Sequence, residues 1–316
     1  MRGDYSNHVI AITGAAQGMG REMALLLARS GCAGLALADF NEKALEQTRQ
    51  DIGDKCPVST HVVDVRSVED LERFRDETLE KHKRCSVLVN NAGIAALGFF
   101  EDQTKEYYDR TIKINFDGVV DCTRVFLPLL KREKSAHLIN ISSMYGYFAT
   151  DNNSNYHASK FAVRGFTEAL ATECTIRCPQ VKVHCVHPGY VRSQLMENAD
   201  LTQITREDAL DMFKRIGLTN SDQAAKMILE GAMRNQFRIR VGPDAYLLDF
   251  LPRLLPGTYL VNPRFRKFCF SYVMLNSYAA ARIRDTIGLS DASCVFLVLL
   301  AQAIAARAVL RRLLGK

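Results

Sequence analysis

The sequence predicts an α/β fold, a doubly wound parallel sheet of about seven strands with a helical C-terminal extension. As far as about residue 242, short apolar runs alternate with stretches of helical periodicity. Each run is apolar at nearly every position, which is typical of parallel strands that helices cover on both faces. A glycine-rich turn directly follows the first run, where a first helix would begin.

Six apolar runs are predicted strands, and a seventh could close the edge of the sheet. The six cover residues 8–13, 34–39, 58–64, 86–90, 136–142 and 181–187, and the seventh covers 237–241. Helical patterns cover residues 19–30, 42–52, 68–82, a long stretch at about 107–131, and 155–177. In such a sheet, ligands bind beyond the carboxyl ends of the strands, so functional residues should follow the strands directly.

The regular alternation ends at Gly242 and Pro243, where a proline-rich stretch begins. We expect one domain over residues 1–243 and an extension over 244–316 that is helical, basic and partly apolar. The net charge of the chain is +6, but residues 262–316 alone hold nine Lys or Arg against two Asp. The main domain therefore carries no excess of positive charge, which argues against nucleic-acid binding.

The nine cysteines are scattered, and none forms a C-x-x-C pair or stands beside spaced histidines. This pattern argues against a zinc site, so no metal is expected. The first apolar run is too short for the core of a signal peptide. We therefore expect reduced thiols and a cytoplasmic location.

The turn after the first predicted strand carries the first functional signal. It reads Thr13-Gly14-Ala15-Ala16-Gln17-Gly18-Met19-Gly20. Glycines permit a tight turn and a close approach of backbone N–H groups to a pyrophosphate, and the helix N-terminus adds donors. The turn therefore predicts a Rossmann-type dinucleotide site. Its predicted contacts are Gly14, Gln17, Gly18, Met19 and Gly20.

Asp39 ends the second predicted strand, about where an acidic side chain binds the adenosine ribose hydroxyls. A carboxylate there would repel the 2′-phosphate of NADP. No Lys or Arg follows Asp39 directly, and Gln17 rather than a basic residue precedes Gly18. NAD is therefore the expected cofactor, with NADP less favoured. The alternative is that Asp39 is only the N-cap of the next helix.

Two further strand ends carry polar residues. Asp64 and Val65 follow the third strand, where an Asp can meet the adenine amino group, although it is also a common turn residue. Asn91, Ala92 and Gly93 follow the fourth strand. They suit a sharp turn beneath a cofactor, and part of their role is to hold the sheet together.

The strongest constellation is Ser143, Tyr156 and Lys160. Tyr156 and Lys160 are four residues apart and so share one face of a helix. A phenol with a pKa of about 10 is a poor base, and a nearby ammonium would lower that pKa. We expect Tyr156 to exchange a proton with the substrate, and Lys160 to assist it and reach the nicotinamide ribose. Ser143 would hydrogen-bond the substrate oxygen.

Together these motifs resemble the short-chain dehydrogenase/reductase family, in its single-domain branch. The matching positions follow the family's order: Thr13-Gly14-x-x-x-Gly18-x-Gly20, Asn90-Asn91-Ala92-Gly93, Asn115, Ser143, Tyr156-x-x-x-Lys160 and Pro188-Gly189. The resemblance implies a homodimer or homotetramer, and an oxidoreductase that moves a hydride between a nicotinamide cofactor and an alcohol or carbonyl. The alternative is a catalytically silent nucleotide-binding regulatory or scaffold protein on the same fold.

The resemblance also assigns roles that the residues alone do not. Asn115 would hold a water in a proton relay with Lys160. Pro188, Gly189 and Val191 would flank the nicotinamide, and Ser193 stands where the family usually has a Thr at the carboxamide. The family's active Ser precedes the Tyr by the spacing that Ser143 has here, so Ser142 is expected to be structural.

Two segments line the substrate pocket in this family, one after the fourth strand and one after Ser143. Here they contribute large apolar or amphipathic side chains: Phe99, Phe100, Met144, Tyr145, Tyr147 and Phe148. We therefore expect a bulky, lipophilic substrate, although half of these side chains could equally belong to the core. A third segment, about residues 193–216, often forms a mobile lid in this family.

The extension contains an apolar run at residues 293–306, followed by Arg307. The run is shorter than the about 20 residues that a membrane-spanning helix needs. With three arginines and a lysine from 307 onward, it suits a helix that lies on a membrane surface. The alternative is a helix that docks on the main domain or on a partner subunit.

Overall fold

The computed structural model describes residues 4–202, 204–254 and 263–313. Its centre is a seven-stranded parallel sheet, so the predicted fold class is confirmed. In chain order the strands are β1 Val9–Thr13, β2 Gly34–Asp39, β3 Val58–Val62, β4 Val87–Asn90, β5 Ala136–Ile141, β6 Val181–Pro188 and β7 Arg238–Val241. Their order across the sheet is β3-β2-β1-β4-β5-β6-β7, and it reverses between β1 and β4. That reversal is where a doubly wound sheet opens a ligand crevice.

Helices cover both faces of the sheet. They are α1 Gly18–Arg29, α2 Glu42–Ile52, α3 Val68–His82, α4 Lys105–Ile112, α5 Gly118–Leu130, α6 Ser154–Arg177, α7 Arg206–Ile216 and α8 Ser221–Met233. One apolar core lies between the sheet and α1, α2 and α8, and a second lies between the sheet and α3, α5 and α6. In β1, Ile10 and Ile12 belong to the first core and Ala11 to the second, which explains why the strand is apolar throughout.

The long helix predicted at 107–131 is divided in the structure. A π-helical segment, Lys113–Asp117, separates α4 from α5. It contains Asn115, which is fully buried. Insertions of this kind are frequent at functional sites because they redirect one residue out of the regular helix. The sequence has helical periodicity over all of 107–131, so it does not reveal this change of helical pitch.

The C-terminal extension, residues 244–316, contributes most of α9 Pro243–Leu254, and then α10 Pro263–Ile287 and α11 Asp291–Leu313. Together these helices form a third apolar core with the segment after β5 and with Tyr190. Leu248 of α9 and Ala280 of α10 are fully buried in it. Among the described residues, no helix has the length and apolar character that crossing a membrane requires.

Two short strand pairs hold the segment that was predicted as a lid. Asp200–Leu201 pairs with Ala96–Leu97, and Val191–Arg192 pairs with Thr219–Asn220. Met196, Ala199 and Ala209 also pack against Ala95 in a small apolar cluster. The segment therefore lies closed against the chain that follows β4.

Candidate active site

The glycine turn has the backbone geometry that a phosphate-binding loop needs. Gly14 and Gly18 have φ values of +67° and +55°, a region that L side chains rarely adopt. A Cβ atom on Gly20 would lie 2.0 Å from the Gly14 carbonyl oxygen, so the turn can pack against α1 only with glycine there. The N-terminus of α1 is thus brought to the carboxyl edge of the sheet.

Asn91 fastens the end of β4 to this turn. Its Nδ2 donates to the carbonyl oxygens of Thr13 (3.1 Å) and Gly14 (3.0 Å). In return, Thr13 Oγ1 accepts from the backbone N–H groups of Asn91 and Ala92, both at 3.1 Å. The Asn91 side chain therefore holds the two strand ends together, which agrees with the structural part of its predicted role.

A groove runs along the carboxyl edge over these turns. Eleven of the predicted cofactor contacts line it: Gly14, Gln17, Gly18, Met19, Asp39, Asp64, Val65, Asn91, Ala92, Gly93 and Ser193. Gly20, Tyr156, Lys160, Pro188, Gly189 and Val191 do not. Gly93 lies beside two of the predicted catalytic residues, because a Cβ atom there would be 3.2 Å from Asn115 Oδ1 and 3.6 Å from Lys160 Nζ.

Asp39 faces the groove as a largely buried carboxylate. Its Oδ2 accepts from the Ala16 N–H and its Oδ1 from the Asn41 N–H, both at 3.0 Å. Burial raises the pKa of Asp39, and these N–H groups act in the opposite direction. The N-cap of α2 is Asn41, whose side chain accepts from the Ala44 N–H. The alternative that Asp39 is the N-cap is therefore wrong.

Asp64 already has a charged partner in the groove. Its carboxylate forms an ion pair with Arg66 (Nη2 to Oδ2, 2.5 Å), which lowers the pKa of Asp64. Arg66 and Arg110 both line the groove, although no basic residue was predicted there. Arg110 in turn pairs with Asp200 of the closed segment, at 2.7 Å. The position of Arg66, two residues after Asp64, could have indicated its pairing, whereas nothing in the sequence marks Arg110.

The four predicted catalytic residues come together from three elements. Ser143 follows β5, Tyr156 and Lys160 share one face of α6, and Asn115 lies in the π segment. Lys160 Nζ is 5.6 Å from the centroid of the Tyr156 ring and donates to the Ile141 carbonyl oxygen at 3.1 Å.

Asn115 is held by the chain that follows β4. Its Oδ1 accepts from the Ile94 N–H at 2.8 Å, and its Nδ2 donates to the Ile94 carbonyl oxygen at 2.9 Å. The same Nδ2 also donates to Ser159 Oγ on α6, at 3.2 Å. The side chain therefore ties the groove wall to the helix that carries Tyr156 and Lys160.

The pKa of Tyr156 differs from the expectation. Burial raises it to about 12, and the hydrogen bond with Ser143 acts in the opposite direction. Burial also lowers the pKa of Lys160 to about 8. The expectation of a lowered phenol pKa is wrong for this state of the protein. The reason is that the Lys160 ammonium is directed at the Ile141 carbonyl, so burial dominates at the phenol.

The two serines after β5 have different partners. Ser142 Oγ donates to the Lys160 carbonyl oxygen at 2.8 Å and is buried against α6. Ser143 Oγ instead accepts from the Tyr145 N–H at 3.1 Å. His187, which sequence reasoning missed, donates from Nδ1 to the Ser143 carbonyl oxygen at 2.8 Å. Ser142 and His187 therefore hold the strand end from which the Ser143 hydroxyl projects.

The six large side chains predicted for the substrate pocket have different environments. Met144, Tyr147 and Phe148 are buried in the third core against the extension. Phe100, in contrast, is 72% exposed. Tyr145 packs edge-on against Tyr156, with ring centroids 6.3 Å apart. The core alternative thus applies to three of the six side chains.

Comparison with known proteins identifies the family of the chain. The sequence pattern of the family described as short chain dehydrogenase matches residues 8–203. A relative from Mycobacterium tuberculosis described as putative oxidoreductase SadH is 35% identical over 260 residues, which cover 81% of this chain and 93% of the relative. The 3-oxoacyl-[acyl-carrier-protein] reductase FabG of Thermotoga maritima is 29% identical over 222 residues, covering 70% of this chain and 88% of the relative.

A solved structure gives the same result. The short chain dehydrogenase/reductase from Burkholderia phymatum in complex with NAD superposes with a TM-score of 0.74 and 26% sequence identity. The match covers 79% of this chain and 94% of that chain. With the family pattern and the SadH relative, it leads to one conclusion: the chain belongs to the short-chain dehydrogenase family.

Proposed function

We propose that this chain is an NAD-dependent oxidoreductase that interconverts an alcohol and a carbonyl compound. One observation carries the proposal: Asn115, Ser143, Tyr156 and Lys160 lie together beside Gly93 and Ile94, which line the same groove as Asp39. A pure nucleotide-binding protein on this fold would need the groove but not the four polar residues. The SadH and FabG relatives, described as oxidoreductase and reductase, support the same class.

The groove fits a dinucleotide. Gly14 and Gly18 line it at the N-terminus of α1, where backbone N–H groups can bind a pyrophosphate, and Asp39 offers carboxylate oxygens to ribose hydroxyls. The two arginines of the groove already have carboxylate partners, Arg66 with Asp64 and Arg110 with Asp200. They therefore offer little uncompensated charge to the 2′-phosphate of NADP, which favours NAD.

When bound, the nicotinamide supplies the hydride acceptor or donor. The residues of this chain would bind the substrate oxygen and transfer the proton. Ser143 and the Tyr156 hydroxyl hold the substrate oxygen, and Tyr156 gives up or takes the proton. Lys160 remains mostly protonated at neutral pH, because its pKa of about 8 lies above it. Its charge would stabilise the phenolate once the phenol is deprotonated.

The protonation state of Tyr156 predicts how the rates of the two reaction directions depend on pH. A phenol with a pKa of about 12 is an acid at neutral pH, so proton donation to a carbonyl oxygen is favoured there. Alcohol oxidation needs the phenolate and should accelerate as the pH rises. Initial rates in both directions with one alcohol/carbonyl pair would check this; oxidation that slows with rising pH would contradict it.

The cofactor proposal is tested by titrating purified protein with NADH and with NADPH, for the native chain and for Asp39→Ala. The native chain should prefer NADH, and the variant should lose about tenfold in NADH affinity because charge-assisted hydrogen bonds to the ribose disappear. Preference of the native chain for NADPH would contradict the role of Asp39. Binding of NADH without turnover of any alcohol or carbonyl would favour the catalytically silent alternative.

We propose a lipophilic substrate. Tyr145 presents an aromatic edge beside Tyr156, and the closed segment brings Leu195 to the groove. Phe100 is exposed on the chain that follows β4. A panel of secondary alcohols of increasing chain length should show kcat/KM rising with length; activity confined to short polar alcohols would contradict the proposal.

We propose that the extension contacts a membrane surface. Leu275 and Tyr278 of α10 and Phe296 of α11 are 68%, 56% and 64% exposed. The stretch from residue 262 onward also holds nine Lys or Arg against two Asp, so the net positive charge of the chain is concentrated there. Exposed apolar and basic groups together favour anionic lipid. In a flotation assay, the native chain should rise with phosphatidylserine vesicles, and the Phe296→Asp variant should stay behind. Equal flotation of the two proteins would contradict the proposal.

We propose a homodimer or homotetramer. On α6, Ile176 is 76% exposed and Phe161 is also exposed, so this helix presents apolar side chains outward. Light scattering after gel filtration should report at least two chains per particle. Ile176→Glu should shift the population toward monomers, because a charge would then be buried between subunits. A monomeric native chain would contradict the proposal.

A further inference from the structure

One buried carboxylate lies between the exits of the last two strands. Pro188 at the end of β6 is the partner of Val241 at the end of β7, so these exits are side by side. Asp244, in the first turn of α9, is fully buried there. A Cβ atom on Gly189 would lie 2.1 Å from Asp244 Oδ1, and one on Gly242 would lie 2.6 Å from the same oxygen. The carboxylate therefore occupies the space that a side chain at either exit would need, and Gly242 also has a φ of +91°.

The carboxylate holds the backbone of the segment that follows β6. The Tyr190 N–H donates to Asp244 Oδ2 at 2.6 Å. On the other side, the Leu218 N–H donates to the Tyr190 carbonyl oxygen at 3.0 Å. Tyr190 is thus fixed through both of its backbone polar groups, and one of the two contacts comes from the extension.

The same segment reaches the predicted catalytic residues through its side chain. The Tyr190 hydroxyl is 2.5 Å from the Tyr145 hydroxyl, and the Tyr145 ring packs edge-on against Tyr156. The Tyr145 N–H also donates to Ser143 Oγ. A shift of Tyr190 would therefore displace Tyr145 and, through it, Ser143 and Tyr156, the two residues proposed to hold the substrate oxygen.

We propose that Asp244 is a positioning residue, by which the C-terminal extension holds the segment at 188–191 against the nicotinamide half of the cofactor. This inference rests on the proposed function, in which Pro188, Gly189 and Val191 flank the nicotinamide. The adenosine half is bound elsewhere, at the ends of β1 and β2. Loss of Asp244 should therefore affect only one half of the cofactor.

The test compares NADH with ADP-ribose, which lacks the nicotinamide, by calorimetric titration of the full chain. Asp244→Ala should weaken NADH about tenfold and leave ADP-ribose within about twofold, because only the segment at 188–191 is released. Asp244→Asn should weaken NADH binding less than Asp244→Ala does, since the Asn side-chain oxygen can still accept from the Tyr190 N–H. Circular dichroism confirms that each variant is folded.

Asp249 provides the matched control. It is a second buried carboxylate on α9, and it pairs with Arg240 and Arg253, each at 2.7 Å, without contacting the segment at 188–191. Asp249→Ala should leave the ratio of NADH to ADP-ribose affinity unchanged. Equal weakening of both ligands by Asp244→Ala, no weakening of either, or the same change of ratio in Asp249→Ala would overturn the inference. If the native chain binds neither ligand, the proposed function itself is wrong and the inference falls with it.

Discussion

Lys160 in the sheet domain and the Arg284–Asp291 pair in the C-terminal extension use buried charge in opposite ways. In the sheet domain, Lys160 is buried 5.6 Å from the Tyr156 ring centroid with no carboxylate partner among the described residues. In the extension, Arg284 and Asp291 are buried as an ion pair (3.2 Å), and Asp291 Oδ2 also accepts from the Gly242 N–H at 3.1 Å. An unpaired buried charge can act on a reaction, whereas a paired one fixes geometry. The difference agrees with the proposed roles, in which Lys160 takes part in the reaction and the ion pair fixes the extension.

The largest expected effect is on the chemistry of the sheet domain. Tyr156→Phe removes the proton donor and acceptor while it leaves the ring contacts intact. We expect kcat to fall about a thousandfold, with NADH affinity and thermal stability unchanged. Stopped-flow rates of NADH oxidation or formation would measure the loss. A variant that keeps a tenth of the activity would place the proton transfer on another group.

A smaller effect, on stability alone, is expected at the ion pair of the extension. Asp291→Ala leaves Arg284 buried without its carboxylate partner on α11 and should lower the free energy of unfolding by about 3 kcal/mol. Asp285 and the Leu218 carbonyl remain as partners of Arg284, so the loss stays at the lower end of such values. Chemical denaturation would measure it.

The control for the ion pair is an exposed one. Asp211 and Arg215 of α7 form a pair of similar length, 2.7 Å, but both side chains are more than half exposed. Asp211→Ala should therefore change stability by no measurable amount. Equal losses in Asp291→Ala and Asp211→Ala would mean that burial of the pair contributes nothing, and the comparison between the two regions would fail.

The smallest effect concerns the pH dependence of stability at Lys160. The folded pKa of about 8 lies below the value of 10.5 expected when the chain is unfolded. Between these values the unfolded chain holds a proton that the folded chain has released, so stability from this group rises with pH. From pH 8 to 10, the native chain should gain roughly 2 kcal/mol relative to Lys160→Met. A constant difference across that range would show that Lys160 has an ordinary pKa.

The sequence predicted the sheet and the groove well because both follow from local patterns. Apolar runs mark strands that are covered on both faces, and eleven of the predicted cofactor contacts line one groove at the carboxyl edge of the sheet. Asp39 was predicted with an N-cap alternative, which the structure excludes because it places Asn41 at the cap; the ribose contact stays a prediction. Here the local pattern and the tertiary structure agree.

The remaining features depend on contacts between distant segments, which no local pattern reports. Arg110 meets Asp200, and Asp244 meets the Tyr190 N–H, across long sequence separations. The pKa of Tyr156 was expected to fall because spacing places a lysine nearby, but spacing does not show that burial outweighs that charge. Tyr147 is a further example. Its residue type suited a substrate pocket, but its side chain lies in the third apolar core.

The third apolar core has a consequence for the order in which the chain can fold during synthesis. Phe148, beside the predicted catalytic segment, is covered by helices at the other end of the sequence. During synthesis, the whole sheet would therefore emerge from the ribosome before the helices that cover Phe148 have been made. Nascent or prematurely terminated chains would expose an aromatic patch next to a finished Rossmann sheet, a surface that invites aggregation or chaperone binding. The integrity of the last helices would then decide the cellular yield of the protein as well as the shape of its site.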